Sequence, residues 1–409
     1  MTLDKNLAPK IAFWAFMLTG LGLAFFLFKD LADISQWVIQ SARETTMTVW
    51  YQRVPITIAS FIAIVAASVI WIRTRAGAGT KGFVALLIIY VGFVFSGMIN
   101  PYIMMRPRQD DGVFVSVAEA TRYVRPDESV IVYEIDGLAR AHPDVQVLRP
   151  HVASAEPVND QDVVMTYCGL TNLGMAYVPE IDGERLELAP MTQLENNLVL
   201  VDMKSGEPIQ QLWGQREIDV VEGNDSRMQQ YPTFRMPFER FAAAYPNGQV
   251  FINDYLVKDM RKGFLENPAL YVYDRTMEFI FNTAIDFQQN HEAPVFPTID
   301  HYDERLPNKE LIWGFDIQGD YVAYTEQFVR ANGNVVNAVV GGEPVVIAYD
   351  AEYESLGVYY NLTGEEIRNI DFFGVVGSGA VLPRVETVKA GAFWVVWANF
   401  FPDTDLNRA

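Results

Sequence analysis

The chain has 409 residues and a formal net charge of −20. Ten of its 31 Lys and Arg and four of its 51 Asp and Glu lie in residues 1–109, which leaves 21 basic and 47 acidic residues, a net charge of −26, on residues 110–409. A surface of that sign repels phosphate backbones and anionic headgroups, which argues against nucleic acid as a partner. The single cysteine rules out an internal disulfide, and 50% hydrophobic with 13% aromatic residues suits a packed unit rather than a disordered tail.

Three apolar stretches open the chain, Ile11 to Phe28, Val54 to Ile72 and Gly82 to Met105. Each approaches the roughly 20 residues that cross a bilayer as a helix. No small-x-small cleavage site follows the first, so the pattern predicts a retained anchor of three spans over residues 1–109 rather than a signal peptide. Lys5 and Lys10 precede the first span, and Arg73, Arg75 and Lys81 crowd the second loop. Lys29, Arg43 and Arg53 are spread more thinly over the first loop. Retention of basic loops on the cytoplasmic side then puts the N-terminus inside and residues 110–409 outside the cytoplasmic membrane. Arg106 and Arg108, just beyond the third span, run against this orientation.

Past the anchor the chain is compared with itself. The stretch "VYEIDGLARAH" (Val132 to His142) matches "WGFDIQGDYVAY" (Trp313 to Tyr324) at an offset of 182 residues, which recurs at Tyr167 and Tyr349. "FERFAAAYPNGQV" is echoed by "FWVVWANFFPDTDL", aligning Pro246 with Pro402. Three landmarks in one order predict two similar lobes, residues 110–290 and 311–409, joined by a connection over 291–310. In each lobe a turn at Asp136-Gly137 or Gln318-Gly319 predicts a hairpin. A buried strand follows, Val163 to Tyr167 or Val345 to Tyr349. Each lobe closes with a short helix, introduced by Pro237 in the first and carrying Phe393, Trp397 and Phe400 in the second. The expected fold class is therefore a three-helix transmembrane anchor followed by a strand-rich α+β domain of two similar lobes.

The connection is rich in Pro, charge and His. His291, Glu292, His301, Asp303 and Glu304 follow no metal-ligand spacing and read as solvated linker. There is no Gly-rich phosphate loop, no GxSxG and no HExxH. No carboxylate pair stands out as acid and base.

The segments "EIDGLARAHP", "EPVND", "VVMTYCGL", "LVLVDMKSGEPIQQLWGQ", "DERLPNKELIWGFDI" and "FFPDT" resemble the bacterial and archaeal family designated domain of unknown function 3179, over nearly all of residues 112–406. The resemblance implies export or membrane attachment and brings no activity with it. Many relatives look like Tyr-Cys-Pro-x-Cys where this chain has Tyr167-Cys168-Gly169-Leu170-Thr171, and many carry a His where this chain has Ala155; His151 lies four residues earlier.

Cys168 ends a strand and enters a turn, a place where sites are often built. Three readings stand side by side: a packed thiol, a metal or redox ligand, and a nucleophile. With His151 and Met175 as partners, the metal reading gives the ligand set of electron-transfer copper, and zinc is the other metal expected at such a thiolate. A binding site between the lobes would be lined by residues near Cys168, His142, His151, Asn159 and Tyr167. Asn159 and Asn337 recur beside a Val in each lobe, and as turn residues both are expected to bond their own backbone. The functional expectation is a membrane-anchored protein, outside the cytoplasm, that binds a ligand or another membrane protein; the alternative is metal handling or redox chemistry at Cys168.

Overall fold

The computed structural model describes residues 7–32, 35, 39–98, 105–296 and 298–409. These form two compact units, one built mainly on the N-terminal helices and one on the rest of the chain.

In the first unit, helices α1 (Leu7–Leu31), α2 (Arg43–Tyr51), α3 (Arg53–Thr74) and α4 (Thr80–Met98) follow in order. α1, α3 and α4 are long and apolar enough to cross a membrane. They are apolar on all sides: Phe13, Met17, Ala24, Ile64, Ala67, Trp71, Phe83 and Tyr90 pack inward, while Ile58, Phe61, Ile62, Ile88 and Phe95 face outward. Apolar residues all round are a pattern suited to crossing a bilayer. α1 meets α3 closely at Gly20, whose carbonyl accepts the Ser60 hydroxyl at 3.0 Å. Trp71 stacks on Phe83 at 4.2 Å and donates its indole N–H to the Ala78 carbonyl, which ties down the short loop between α3 and α4. The expected end of the third span, Ile99 to Met104, lies outside the described residues. The nine-residue α2 occupies what the sequence presents as plain loop.

The second unit begins with β1 (Phe114–Ser116), α5 (Val117–Ala120), β2 (Ser129–Ile135), β3 (Leu138–Pro143), α6 (Asp144–Val147), β4 (Val152–Ala153), β5 (Val164–Cys168) and β6 (Leu173–Tyr177). A small hairpin of β7 (Glu180–Ile181) and β8 (Glu184–Arg185) leads to β9 (Leu188–Leu194), β10 (Asn197–Asp202), β11 (Pro208–Gln210), β12 (Gln215–Arg216) and α7 (Glu217–Glu222). Then come β13 (Gln230–Tyr231), β14 (Phe234–Pro237), α8 (Phe238–Ala244), β15 (Gln249–Phe251) and α9 (Pro268–Asn290). The chain ends with β16 (Leu311–Ile317), β17 (Asp320–Tyr324), α10 (Glu326–Ala331), β18 (Val335–Val340), β19 (Glu343–Asp350), β20 (Ser355–Tyr360), β21 (Lys389–Phe393), α11 (Trp394–Phe400) and β22 (Asp405–Asn407).

The two turns read as hairpins in the sequence are hairpins. Asp136 and Gly137 join β2 to β3, and Gln318 and Gly319 join β16 to β17, all four in the left-handed region with φ of 50°, 83°, 51° and 86°. Left-handed backbone at both central residues matches the right-handed twist of the flanking strands. Around these hairpins the pairing follows one scheme. β14 lies antiparallel to β2 and β15 parallel to β3; β21 lies antiparallel to β16 and β22 parallel to β17. A helix links β14 to β15 and another links β21 to β22. Their flanking residues have nearly the same dihedrals: Pro237 (−62°, 147°) and Phe393 (−70°, 136°) before, Tyr245 (−129°, 67°) and Phe401 (−134°, 70°) after. β5 pairs antiparallel with β6, and β19 with β20.

One expected correspondence fails. β4 places Val152 and Ala153 opposite Thr166 and Met165, and β18 places Val335 and Val336 opposite Ala348 and Ile347. Register therefore puts Ser154, not Asn159, at the position matching Asn337, because strand pairing rather than the recurring Val-Asn pair sets the alignment.

α9 was not legible as an element from the lobes' repeat, yet its start carries a standard signal. Asn267 accepts the Leu270 N–H at 3.1 Å and Pro268 takes the first helical position. Its inner face, with Met277, Phe281, Ala284 and Ile285, covers the core around Tyr133, Met165 and Tyr167.

Candidate functional site

Cys168 is fully buried at the end of β5. The Thr171 hydroxyl lies 3.6 Å from its sulfur, donates to the Asn196 carbonyl at 2.7 Å and accepts from the Asn197 amide at 2.8 Å. Burial pushes the thiol pKa up, and its contacts to Thr171 only partly offset that. Burial thus favours the neutral thiol, which is a weaker ligand and nucleophile than the thiolate. A Cβ at Gly169 would run into Ile285 of α9 and Leu148.

The other residues named from the sequence are placed as follows. His142, in β3, is enclosed by the rings of Phe114, Tyr133 and Phe251. Neither of its ring nitrogens has a hydrogen-bond partner of good geometry, and burial drives its pKa down to about 3. His151 precedes β4 with φ of 55° and packs against Phe281; burial lowers its pKa to about 3 as well. Met175 is buried in β6, with the Gln230 amide 4.0 Å from its sulfur. Tyr167 donates to the Asn172 side chain at 3.4 Å. Asn159 is exposed, with φ of 49°, and its amide donates to Asp136 rather than to its own backbone. Asn337 likewise makes no self-contact: it exchanges two hydrogen bonds with the backbone of Ile367. Among the described residues no three His, Cys, Asp or Glu converge closely enough to hold a metal ion.

A cavity lies elsewhere in the second unit. It has a volume of about 820 Å³ and is lined by chain segments 177–232 and 316–403. Its apolar wall holds Trp213, Phe400, Phe401 and Tyr321. Trp213 meets Phe400 edge-on at 5.2 Å, and Tyr321 stacks on Phe401 at 4.6 Å. Against them stands Lys389, at the start of β21, with its side chain only 5% exposed. Its ammonium nitrogen is 3.6 Å from an Asp316 carboxylate oxygen and donates to Gln230 Oε1 at 3.4 Å. Burial lowers the Lys389 pKa, with Asp316 pulling the other way. Arg227, Arg384, Asp225, Glu386 and Asp403 add charge of both signs. One buried amine in the wall, set beside aromatic surface, suits a small polar ligand with an acceptor group.

A second polar centre was missed in the sequence. Arg235 of β14 is buried and donates to Asp144 at 2.7 Å, Ser129 at 2.9 Å, and the carbonyls of Asn172 at 2.9 Å and Ala390 at 3.1 Å. It thereby ties β14, the turn after Cys168 and β21 together. Gly391 makes room for it, since a Cβ there would stand 2.9 Å from the arginine side chain. A lone Arg in the run "FRMP" carries no sequence mark that separates it from a solvated charge.

The architecture is thus a strand-rich unit following three helices apt to cross a membrane. The family signature of DUF3179, a protein family of unknown function, matches residues 104–404, and the chain belongs to that family. No curated protein and no solved structure matches it.

Proposed function

We propose that this is a multi-pass membrane protein whose residues 110–409 form a duplicated, two-lobed binding module outside the cytoplasm, with its ligand in the cavity beside Lys389. The cavity carries the proposal: a buried amine faces about 820 Å³ lined by aromatic rings. The ligand is a small molecule that offers a carboxylate or carbonyl oxygen to Lys389 and an apolar face to Trp213 and Phe400.

Several observations support duplication. The hairpins keep one register at an offset of 182 residues, and the β14–α8–β15 and β21–α11–β22 segments share pairing and cap dihedrals. Strand β6 packs on β21, and β14 packs on β20, as a twofold relation between lobes requires. The same relation makes the cavity one of two equivalent places. Tyr245 and Glu134 correspond to Phe401 and Asp316, and there Tyr245 meets the rings of Phe372 and Phe373 and donates to Glu134 at 2.7 Å.

Orientation is supported by the fate of the two arginines that opposed it. Arg106 pairs with Asp274 at 2.9 Å, and Arg108 pairs with Asp254 and Asp111 at 2.7 Å. Both pack beside the Tyr255 ring. They are structural parts of the second unit, so they weigh little as loop charges retained inside.

The test is thermal unfolding of the detergent-solubilised chain with a panel of small carboxylates and carbonyl compounds. The proposal expects a stabilising compound whose effect is lost in Lys389→Met and Trp213→Ala. Stabilisation that both variants retain, or none across the panel, overturns it.

A further inference from the structure

The run "NKELIWGF" (Asn308 to Phe315) leads into β16. Period-two alternation puts Leu311 and Trp313 on one face of that strand, and both line a smaller cavity of about 420 Å³. Its charged groups are Lys309, Glu310, Glu326 and Arg330. The wall is preformed. The Trp394 N–H donates to the Glu310 carbonyl at 2.9 Å and the Val395 N–H to the Asn308 carbonyl at 3.0 Å, so the start of α11 holds the segment that carries Lys309 and Glu310. Trp313 itself is held between Tyr324 of β17 and Ala390 of β21.

Two donors in this wall are buried and lack an acceptor. Trp313 is only 6% exposed, and neither its indole N–H nor the Lys309 ammonium has a hydrogen-bond partner among the described residues. The ammonium lies 4.9 Å from the centre of the Phe393 ring, which offers it a π face but no lone pair. Burial lowers the Lys309 pKa to about 8, with Glu292 pulling the other way, so the amine still carries its charge at neutral pH. A buried donor without an acceptor is destabilising, and native structures satisfy nearly all of them. Two such donors lining one cavity point to an oxygen supplied by a ligand.

The neighbouring acids decide what else the ligand carries. Glu326 pairs with Arg330 at 3.0 Å, and Glu292 accepts the Asn308 N–H at 2.6 Å. Glu310 makes no ion pair and no side-chain hydrogen bond among the described residues. The cavity therefore presents one cation and one carboxylate that neutralise neither each other nor a neighbour. A plain carboxylate would suit Lys309 and be repelled by Glu310, and a plain amine would do the reverse. A ligand with both charges suits both.

We propose that this cavity is a second ligand site, for a small zwitterion of the amino-acid type. The ligand carboxylate accepts from the Lys309 ammonium and the Trp313 indole N–H, the ligand ammonium donates to Glu310, and an apolar side chain lies along Leu311. The site shares no lining residue with the cavity beside Lys389 and stands whether or not that one binds a ligand.

The test is isothermal titration of the full chain in mild detergent with each of the common amino acids. For the tightest binder it is repeated with the matching acid that lacks the amine and the matching amine that lacks the carboxylate. The parent binds each truncated ligand about tenfold more weakly, or worse. Lys309→Met and Trp313→Phe each weaken the amino acid by about tenfold. Lys309→Met no longer tells the amino acid from its amine, and Glu310→Gln no longer tells it from its acid. Lys389→Met and Trp213→Ala leave the affinity unchanged. Urea unfolding is read alongside: Lys309→Met removes a buried amine that has no partner, so its midpoint does not fall below the parent's. A lowered midpoint means that the fold already satisfies the amine and overturns the proposal. So does a parent that binds no amino acid, or one that binds the acid as tightly as the amino acid. Binding kept in Lys309→Met but lost in Lys389→Met assigns the ligand to the other cavity and overturns it too.

Discussion

Acid destabilises the second unit through His142, and the size of the effect follows from its surroundings. The ring sits among Phe114, Tyr133 and Phe251, and its pKa falls to about 3 from an ordinary 6.5 because burial disfavours the charged form. Between those values the unfolded chain binds a proton that the folded chain does not, so stability falls as pH drops through 6.5 and the loss is complete only near 3. Above pH 6.5 the group contributes no pH dependence. At pH 5 the linkage amounts to about 2 kcal/mol for this one residue, at 1.36 kcal/mol per pH unit. His142→Phe keeps a ring among rings and strands no partner, since neither nitrogen is well hydrogen-bonded, so its stability at pH 7.5 stays within about 1 kcal/mol of the parent. Urea unfolding in a mild detergent at pH 7.5 and 5.0, for parent and variant, isolates the term. The variant loses about 2 kcal/mol less than the parent over that interval. Equal losses in the two proteins would refute the assignment of a neutral, buried imidazole.

Further expectations follow from the polar centres and the tight contacts. Arg235→Met leaves Asp144 buried without its partner and costs about 3–5 kcal/mol, read as a lowered urea midpoint; a midpoint within error of the parent contradicts the central role of Arg235. Gly314→Ala sets a Cβ 2.6 Å from the Trp397 ring, which is fully buried and cannot swing away, and costs about 1–3 kcal/mol. Thr171→Cys places a second thiol where the Thr171 hydroxyl now lies 3.6 Å from Cys168. After mild oxidation and denaturation that variant shows no thiol-reagent uptake, against one thiol in the parent; two free thiols would mean the side chains cannot approach. A reporter that works only outside the cytoplasm, fused after Ala409, is active, while a cytoplasmic reporter at the same point is silent; the reverse pattern inverts the topology.

What was legible in the sequence is what local chemistry dictates. The α1, α3 and α4 helices are read from unbroken apolar runs, and the hairpins from Asp136-Gly137 and Gln318-Gly319, because each signal is complete within a few residues. α9 escaped notice although Asn267-Pro268 marks its start, because its apolar residues lie on two faces and no single stripe stands out. The site was hardest. Cys168 drew attention as a rare residue at a strand end, yet rarity says nothing of burial. Lys389 and Arg235 are ordinary charges in short strands, and only the meeting of segments far apart in sequence encloses them. The same limit explains Asn159 and Asn337: a shared Val-Asn pair is weaker than strand register, which is set across the sheet.

The most direct test of the account is native mass spectrometry of the chain purified from membranes in mild detergent, with Lys389→Met and Trp213→Ala alongside. The account predicts that the parent carries a small-molecule adduct, of a size that fits a cavity of about 820 Å³, and that both variants lose it while remaining folded. A parent without adduct that also binds none of the offered carboxylates or carbonyl compounds, or an adduct retained by both variants, would contradict a ligand site beside Lys389.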